Sequence, residues 1–344
     1  MSTEPQSRLL SAQESQRRFH ERIVPRYLAH GVPQERPVLV IVAGQPGAGK
    51  SAVENRVHAD LGGGTVTIDA DDLRPTHPDY VPLALENDRT AAPATHADAS
   101  RWVEMAKDYC ISNRFNVVYS TTMRGAEFAE QDINRFKQAG YRVEVVALAV
   151  HEATSRLGVL SRYQQGREDV GFGRYVPDAF QRDAYAGLLS SLDHIDDRHL
   201  ADAVHIYLRD GTRVYTNELD DNGEWAHPAG SRAAVEEARG RPWNHEEIQA
   251  FRDRAAELAH QLPADLHGDL LAIAETAREH VAATAVPPRG PRTDAQRAAA
   301  AAAAFPDSTR STLNKTGQPA RGTPPSAKPI DRHNAANRAK DHER

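Results

Sequence analysis

The sequence predicts an α/β fold in which a parallel sheet is flanked by helices, and three observations carry that expectation. Short apolar runs, VLVIVA (38–43), TVTID (65–69), NVVYS (116–120), RVEVVALAV (142–150) and AVHIYLR (203–209), alternate with helix-like stretches at 50–60, 97–112, 126–139, 152–165 and 178–192. The runs are continuous in Val, Ile and Leu, the pattern of strands buried on both faces by crossover helices. The first run opens directly into a glycine-rich turn that leads into a helix.

Taken in order, the chain begins with a polar segment in which Ser11 and Glu14 have the spacing of a capping box. The helix they start is expected to run to His30, where Gly31 and Pro33 end it, with Phe19, Ile23, Val24, Tyr27 and Leu28 docking on the core. Residues 1–36 are read as this helical segment and 37–217 as the α/β domain. Residues 218–230, ELDDNGEWAHPAG, read as a hairpin or loop leaving the domain. A helical extension follows over 231–283, interrupted near Arg241-Pro242, with Asn244-His245 as a helix start, and packs on the core or on a partner. From about 285 the composition turns to Pro, Ala, Thr, Asn, Lys and Arg, which predicts a short alanine helix at 294–305 and a disordered basic tail. No internal repeat is present.

Composition bounds the function. At 344 residues, with 40% hydrophobic and 26% charged residues, the chain reads as soluble and globular. A net charge of -6 argues against a general nucleic-acid binder, which needs a basic excess to displace counterions. The single cysteine, Cys110, excludes an internal disulfide and a cysteine-rich zinc site, and reads as a packed thiol. No apolar export segment opens the chain and no run of about 18 apolar residues occurs, so a cytoplasmic protein without membrane contact is expected.

The chemistry starts at the glycine-rich turn. Gly44-Gln45-Pro46-Gly47-Ala48-Gly49-Lys50-Ser51 matches G-x-x-x-x-G-K-[ST] at every fixed position, between a buried strand and a helix. Glycines let successive backbone N–H groups converge on phosphate oxygens, and the helix adds its positive end. Lys50 supplies charge at the β- and γ-phosphates, and the Ser51 hydroxyl joins a magnesium shell. The pattern predicts a P-loop NTPase fold that holds ATP and Mg2+. No N-K-x-D guanine signature, no paired D-x-x-G switch and no apolar strand ending in Asp-Glu is found, which leaves small-molecule kinases as the natural remainder.

TVTIDADDLRPTHPDY places Asp69, Asp71 and Asp72 at the carboxyl end of the second strand, where open α/β sheets gather ligands. A carboxylate there can take a hydroxyl proton from the acceptor or hold magnesium, directly or through water. With Ser51, Asp69 is the candidate metal ligand. Arg162, in HEATSRLGVLSRYQQGRED, and Arg174, in GFGRYVPDAF, lie on a helix–connection–helix segment that reads as a lid. Guanidinium groups delivered by such a lid offset the charge that phosphoryl transfer builds.

The ordered motifs GQPGAGKS, IDADDLRPTHP, STTMR, AGYRVEVVALAV, SRLGVLSRY and GRYVP resemble the zeta toxin family across roughly 36–217. D-x-D-x-[FL]-[RK]-x-x-HP is the most specific of them. The resemblance implies a kinase of toxin–antitoxin systems that phosphorylates the 3'-hydroxyl of UDP-N-acetylglucosamine, with an antitoxin protein as partner. It implies Asp71 as catalytic base, Lys50 and Ser51 in P-loop roles, and Arg162 and Arg174 as phosphate clamps. Glu104 falls on a sugar-nucleotide contact, Thr122 and Arg124 on the family's Thr and Arg, and His77 on a loop-shaping position. The chain departs from the family at Ser120-Thr121-Thr122, where E-G-T is usual, and lacks the His-Asp pair after the second arginine. Ser120 therefore stands at the substrate end of the strand and leaves the acceptor open: a sugar nucleotide, another hydroxyl compound, or a nucleotide-dependent binding module with no acceptor.

Overall fold

A computed structural model describes residues 8–282. The expectations for the alanine helix and the basic tail lie outside the described residues.

Helix α1 (Ala12–Arg18) starts where the sequence placed it, with Ser11 Oγ accepting from Glu14 N–H at 3.1 Å. It does not continue as an α-helix. Phe19–Leu28 is π-helical and contains Pro25, and Ala29 N–H donates to Val24 O, five residues back, at 2.8 Å. Proline has no N–H to give to the i−4 ladder. The wider turn also keeps Phe19, Ile23 and Leu28, spaced four and five apart, on one buried face.

The elements then follow as β1 (Val38–Ala43), α2 (Lys50–Leu61), β2 (Val66–Asp69), α3 (Ala70–Leu73), α4 (Tyr80–Glu86), α5 (Ala91–Ala94) and α6 (His96–Asn113). Next come β3 (Val117–Thr121), α7 (Ala126–Gln138), β4 (Arg142–Leu148), α8 (Glu152–Val170), α9 (Asp178–Asp197), β5 (Ala203–Tyr207) and β6 (Arg213–Glu218). The chain closes through α10 (Ser231–Gly240), α11 (His245–Gln261), α12 (His267–Thr276) and α13 (Arg278–Ala282).

The sheet order is β2-β3-β1-β4-β5-β6. β1 lies parallel between β3 and β4, with Leu39 opposite Val117 and Val143. Both faces are covered, which is why the strands carry unbroken apolar runs. Leu39, Ile41, Val117, Val143 and Val145 pack with Trp102, Ile133, Phe136, Leu188 and Leu192 from α6, α7 and α9. Val40, Val42, Val118, Val146 and Leu148 pack with Val53 of α2 on the other face. Cys110 sits in the first of these cores, and burial pushes its thiol up to about 12, so it is inert.

One edge corrects the expectation. The apolar pattern predicts no strand after residue 209, yet β6 pairs antiparallel with β5, so the sheet is mixed. RVYTNE is an edge strand whose one buried residue is Asn217, so it carries no apolar run to mark it.

The extension packs on the domain. Asp196 Oδ2 at the end of α9 accepts from Ser231 N–H at 2.9 Å and Ser231 O–H at 2.8 Å, anchoring α10. Asn244 and Glu247 form a reciprocal capping box at the start of α11. Phe251, Leu258, Leu262, Leu270 and Ile273 of the extension then bury Ala153, Leu157, Leu160 and Tyr163 of α8.

Candidate active site: a phosphate loop, an acidic segment and a lid

The loop between β1 and α2 curls through two left-handed glycines, Gly47 at φ +77° and Gly49 at φ +89°. A Cβ on Gly47 would fall 2.0 Å from Ser155 O, so the loop lies directly against the first turns of α8. Gly158, one helical turn on, has the reciprocal contact: its Cβ would meet Gly47 O at 2.8 Å. Ala48 is fully buried, and Lys50 Nζ donates to Gly44 O at 3.1 Å. Gln45 is buried too; its amide donates to Val150 O at 2.8 Å and Ser155 Oγ at 3.2 Å. Arg209, just past β5, donates to Gly47 O at 2.5 Å. The left-handed turns at Gly47 and Gly49 and the close seat of Gly47 on α8 give the loop a backbone shape that fits a phosphate chain.

At the end of β2, Asp69 Oδ1 accepts from Asp71 N–H at 2.8 Å and caps α3. Burial and the charge of Asp71 push the Asp69 carboxyl above its ordinary range. For Asp71 burial acts in the same direction, but Arg174, Arg74, Arg162 and Lys50 outweigh it and hold the carboxyl below that range. Asp71 forms ion pairs with Arg174 and, at 3.6 Å, with Arg74, and keeps a third of its side-chain surface open. Asp72 has the opposite balance. Burial, then Asp69, Asp71 and Glu54, raise it to about 7.

Ser51, Asp69, Asp71, Arg162 and Arg174 all line one cleft of about 600 Å³, together with Arg26 and Tyr27 of the π-helical segment. Ser51 and Asp69 are hard oxygen donors. Among the described residues no cluster of three or more His, Cys, Asp or Glu could hold a metal by itself. That donor set fits Mg2+, which keeps water and phosphate oxygens as most of its ligands.

Arg162 stands on α8, and Arg174 on the connection that follows Gly171, whose φ is +87°. Asp88 holds this connection down: it accepts from Tyr163 O–H at 3.0 Å, Arg167 at 2.8 Å and Gly173 N–H at 3.1 Å. Sequence reasoning missed Asp88, because its partners lie 75 to 85 residues away. It also missed His96, the first residue of α6. Partial burial, then the charges of Arg74, Arg124 and Arg174, hold that ring below its ordinary range. His77 is buried against Arg8 O at 2.9 Å and Asp98 at 3.4 Å, the packing of a loop-shaping residue.

The candidate substrate contacts do not join this cleft. Glu104 lies on the seam between α6 and α7, where its carboxylate accepts from Lys107 at 2.8 Å and Arg135 at 2.7 Å. Arg124 lies with its guanidinium 4.8 Å from the Phe180 ring centroid. Thr122 follows the end of β3 and is half-buried. Ser120 is buried, in register with Asp69 of β2, and its Oγ has no hydrogen-bond partner. Residues in register share a sheet face, so Ser120 stands beside Asp69, although Asp69 lines the cleft and Ser120 does not. A glutamate there would add a charge next to the already burdened Asp69.

A family model described as Zeta toxin matches residues 26–220, more than half of the chain. Toxin PezT of Streptococcus pneumoniae is 25% identical over 185 residues, covering 54% of this chain and 73% of that protein. Toxin zeta of Enterococcus hirae is 23% identical over 184 residues, covering 53% of this chain and 64% of its own length. The solved structure of the PezAT chromosomal toxin-antitoxin system of S. pneumoniae superposes with a TM-score of 0.61 at 22% identity. That match takes in 73% of this chain and 98% of the solved one, and it shows a shared fold.

Proposed function

The chain belongs to the zeta toxin family, and from that membership we propose that it transfers the γ-phosphate of ATP to the 3'-hydroxyl of UDP-N-acetylglucosamine or a related sugar nucleotide. The observation that carries the proposal is the meeting of Asp71 and Arg174 in the cleft that Ser51 and Asp69 also line. In this reading the loop 44–51 holds the triphosphate. Asp71, kept ionised by its cationic neighbours, takes the acceptor's hydroxyl proton as that oxygen attacks the γ-phosphorus and the bond to the ADP oxygen breaks. Lys50, Arg162 and Arg174 offset the charge on the transferring group. Ser51 and Asp69 would hold magnesium, which neutralises phosphate charge when bound. Arg174 serves both partners: as it turns from Asp71 to phosphate, the carboxylate gains basicity at the moment it needs it. A toxic action held in check by an antitoxin protein is part of the same proposal and rests on family membership.

Transfer to a different hydroxyl compound is the second reading. It is favoured by Ser120 standing in register with Asp69 and by Glu104 being engaged with Lys107 and Arg135. ADP release with Mg-ATP, measured across UDP-N-acetylglucosamine and other sugar and metabolite hydroxyls with the phosphorylated product identified, separates the two. Product from the sugar nucleotide alone is the expected outcome. Only slow ATP hydrolysis with every acceptor, alongside nucleotide-dependent binding of another protein, would sink both and leave a binding module.

A further inference from the structure

Arg239 lies beyond the residues that the family model matches, near the end of α10, yet its side chain reaches back into the phosphate loop. It is 4% exposed and donates to Tyr185 O at 2.9 Å and to Gln45 Oε1 at 3.2 Å. Its guanidinium carbon stacks 3.7 Å from the Tyr185 ring centroid. Burial pushes its pKa down to about 10 against the opposing influence of Tyr185, Glu236 and Glu152, none of which forms an ion pair with it. A buried cation with no carboxylate in direct contact is costly, so its position calls for an explanation.

The hydrogen-bond chemistry supplies one. Val150 O can only accept and Arg239 can only donate, so between them they fix which way the Gln45 amide faces. Its two N–H groups go to Val150 O and Ser155 Oγ, and its oxygen goes to Arg239. Gln45 is the second residue of the phosphate loop, and its side chain is the loop's tether to the start of α8. Without Arg239 the amide oxygen is left buried and unpaired, and the tether has no reason to hold one orientation.

We propose that Arg239 is a positioning residue for nucleotide binding, acting through Gln45 to hold the phosphate loop closed on the triphosphate and placing a positive charge behind it. The helical extension then contributes to the nucleotide site, beyond covering α8. The inference rests on the loop's binding ATP.

The test uses the full chain and ATP as the probe, with calorimetric affinity, steady-state rates and melting temperature as readouts. Arg239→Ala is expected to weaken ATP binding about tenfold, the weight of one hydrogen bond to a charged group, while kcat stays within about twofold because ground and transition states lose the same contact. In a Gln45→Ala background the same change adds little. Ser231→Ala, which loosens α10 at its Asp196 anchor, lowers the melting temperature and leaves ATP affinity as it was. If the alanine variant does not fold, Arg239→Lys keeps the stem and charge but cannot bond Tyr185 O and Gln45 together, and should raise KM for ATP severalfold. Normal ATP affinity in a folded Arg239 variant, or an equal loss in Ser231→Ala, overturns the inference alone. Failure of the unsubstituted chain to bind ATP would overturn it together with the phosphoryl-transfer reading.

Discussion

Two neighbouring acids, Asp71 and Asp72, take opposite protonation behaviour from the company they keep. Asp71 faces Arg174, Arg74, Arg162 and Lys50 and stays ionised; Asp72 faces Asp69, Asp71 and Glu54 and is raised to about 7. Under the proposed reaction Asp71→Asn removes the proton acceptor and leaves the loop intact, so transfer should fall about a hundredfold or more with ATP affinity kept. Full turnover in that variant would assign the base elsewhere. The raised pKa of Asp72 is a statement about stability. Its folded value lies above its ordinary 3.8, so the protonated acid favours folding below about pH 4 and that contribution is lost as pH climbs through 7. Asp72→Asn escapes the loss. It should melt with the parent at pH 4 and above it, by about 2 °C or more, at pH 8. Parallel melting curves across that range would show that Asp72 is not strained.

At the scale of elements, α8 joins the parts of the site. It carries Arg162, touches the phosphate loop through Ser155 and Gly158, and feeds the connection that bears Arg174. Gly158→Ala would drive a methyl group into Gly47 O, a backbone atom that cannot step aside. The helix must then shift from the loop, and ATP affinity should fall by about tenfold or more, with the overall helix signal in circular dichroism unchanged. Wild-type affinity would mean that the loop and helix separate freely. The capping box of α11 makes a milder case. Asn244→Ala frees the N–H of Glu247, costing about 1 kcal/mol, or roughly 2–4 °C in melting temperature for a chain of this size. A change confined to melting, with kinetics untouched, is the expected result.

For the whole molecule, the extension beyond Gly230 completes the body of the domain. Its Phe251, Leu258, Leu262 and Leu270 are what bury Leu157, Leu160 and Tyr163 on the outer side of α8. A chain ended at Gly230 uncovers that apolar strip, and is expected to bind a hydrophobic dye and lose cooperative melting. A truncated chain that melts like the parent and binds ATP normally would show that the strip is dispensable. Among the described residues no helix is long and apolar enough to cross a membrane.

Local signals made much of this legible in the residues themselves. The strands β1, β4 and β5 announce themselves because they are buried along nearly their whole length and need apolar runs, β2 by its alternation of buried Val66 and Ile68, and the phosphate loop because its shape demands glycine at set intervals. Asp69, Asp71, Ser51, Arg162 and Arg174, which line one cleft, are likewise readable as candidates, since a strand end, α8 and the connection after it restrict their place. The π-helical turn at Pro25, the edge strand β6, Asp88 beneath the lid and Arg239 behind the loop are not. Each depends on which distant groups the fold brings together, and a hydrogen bond between residues 45 and 239 leaves no pattern along the chain. Pattern along the chain decided the fold and the candidate groups; only packing in three dimensions decided which of them share a cleft and what holds them there.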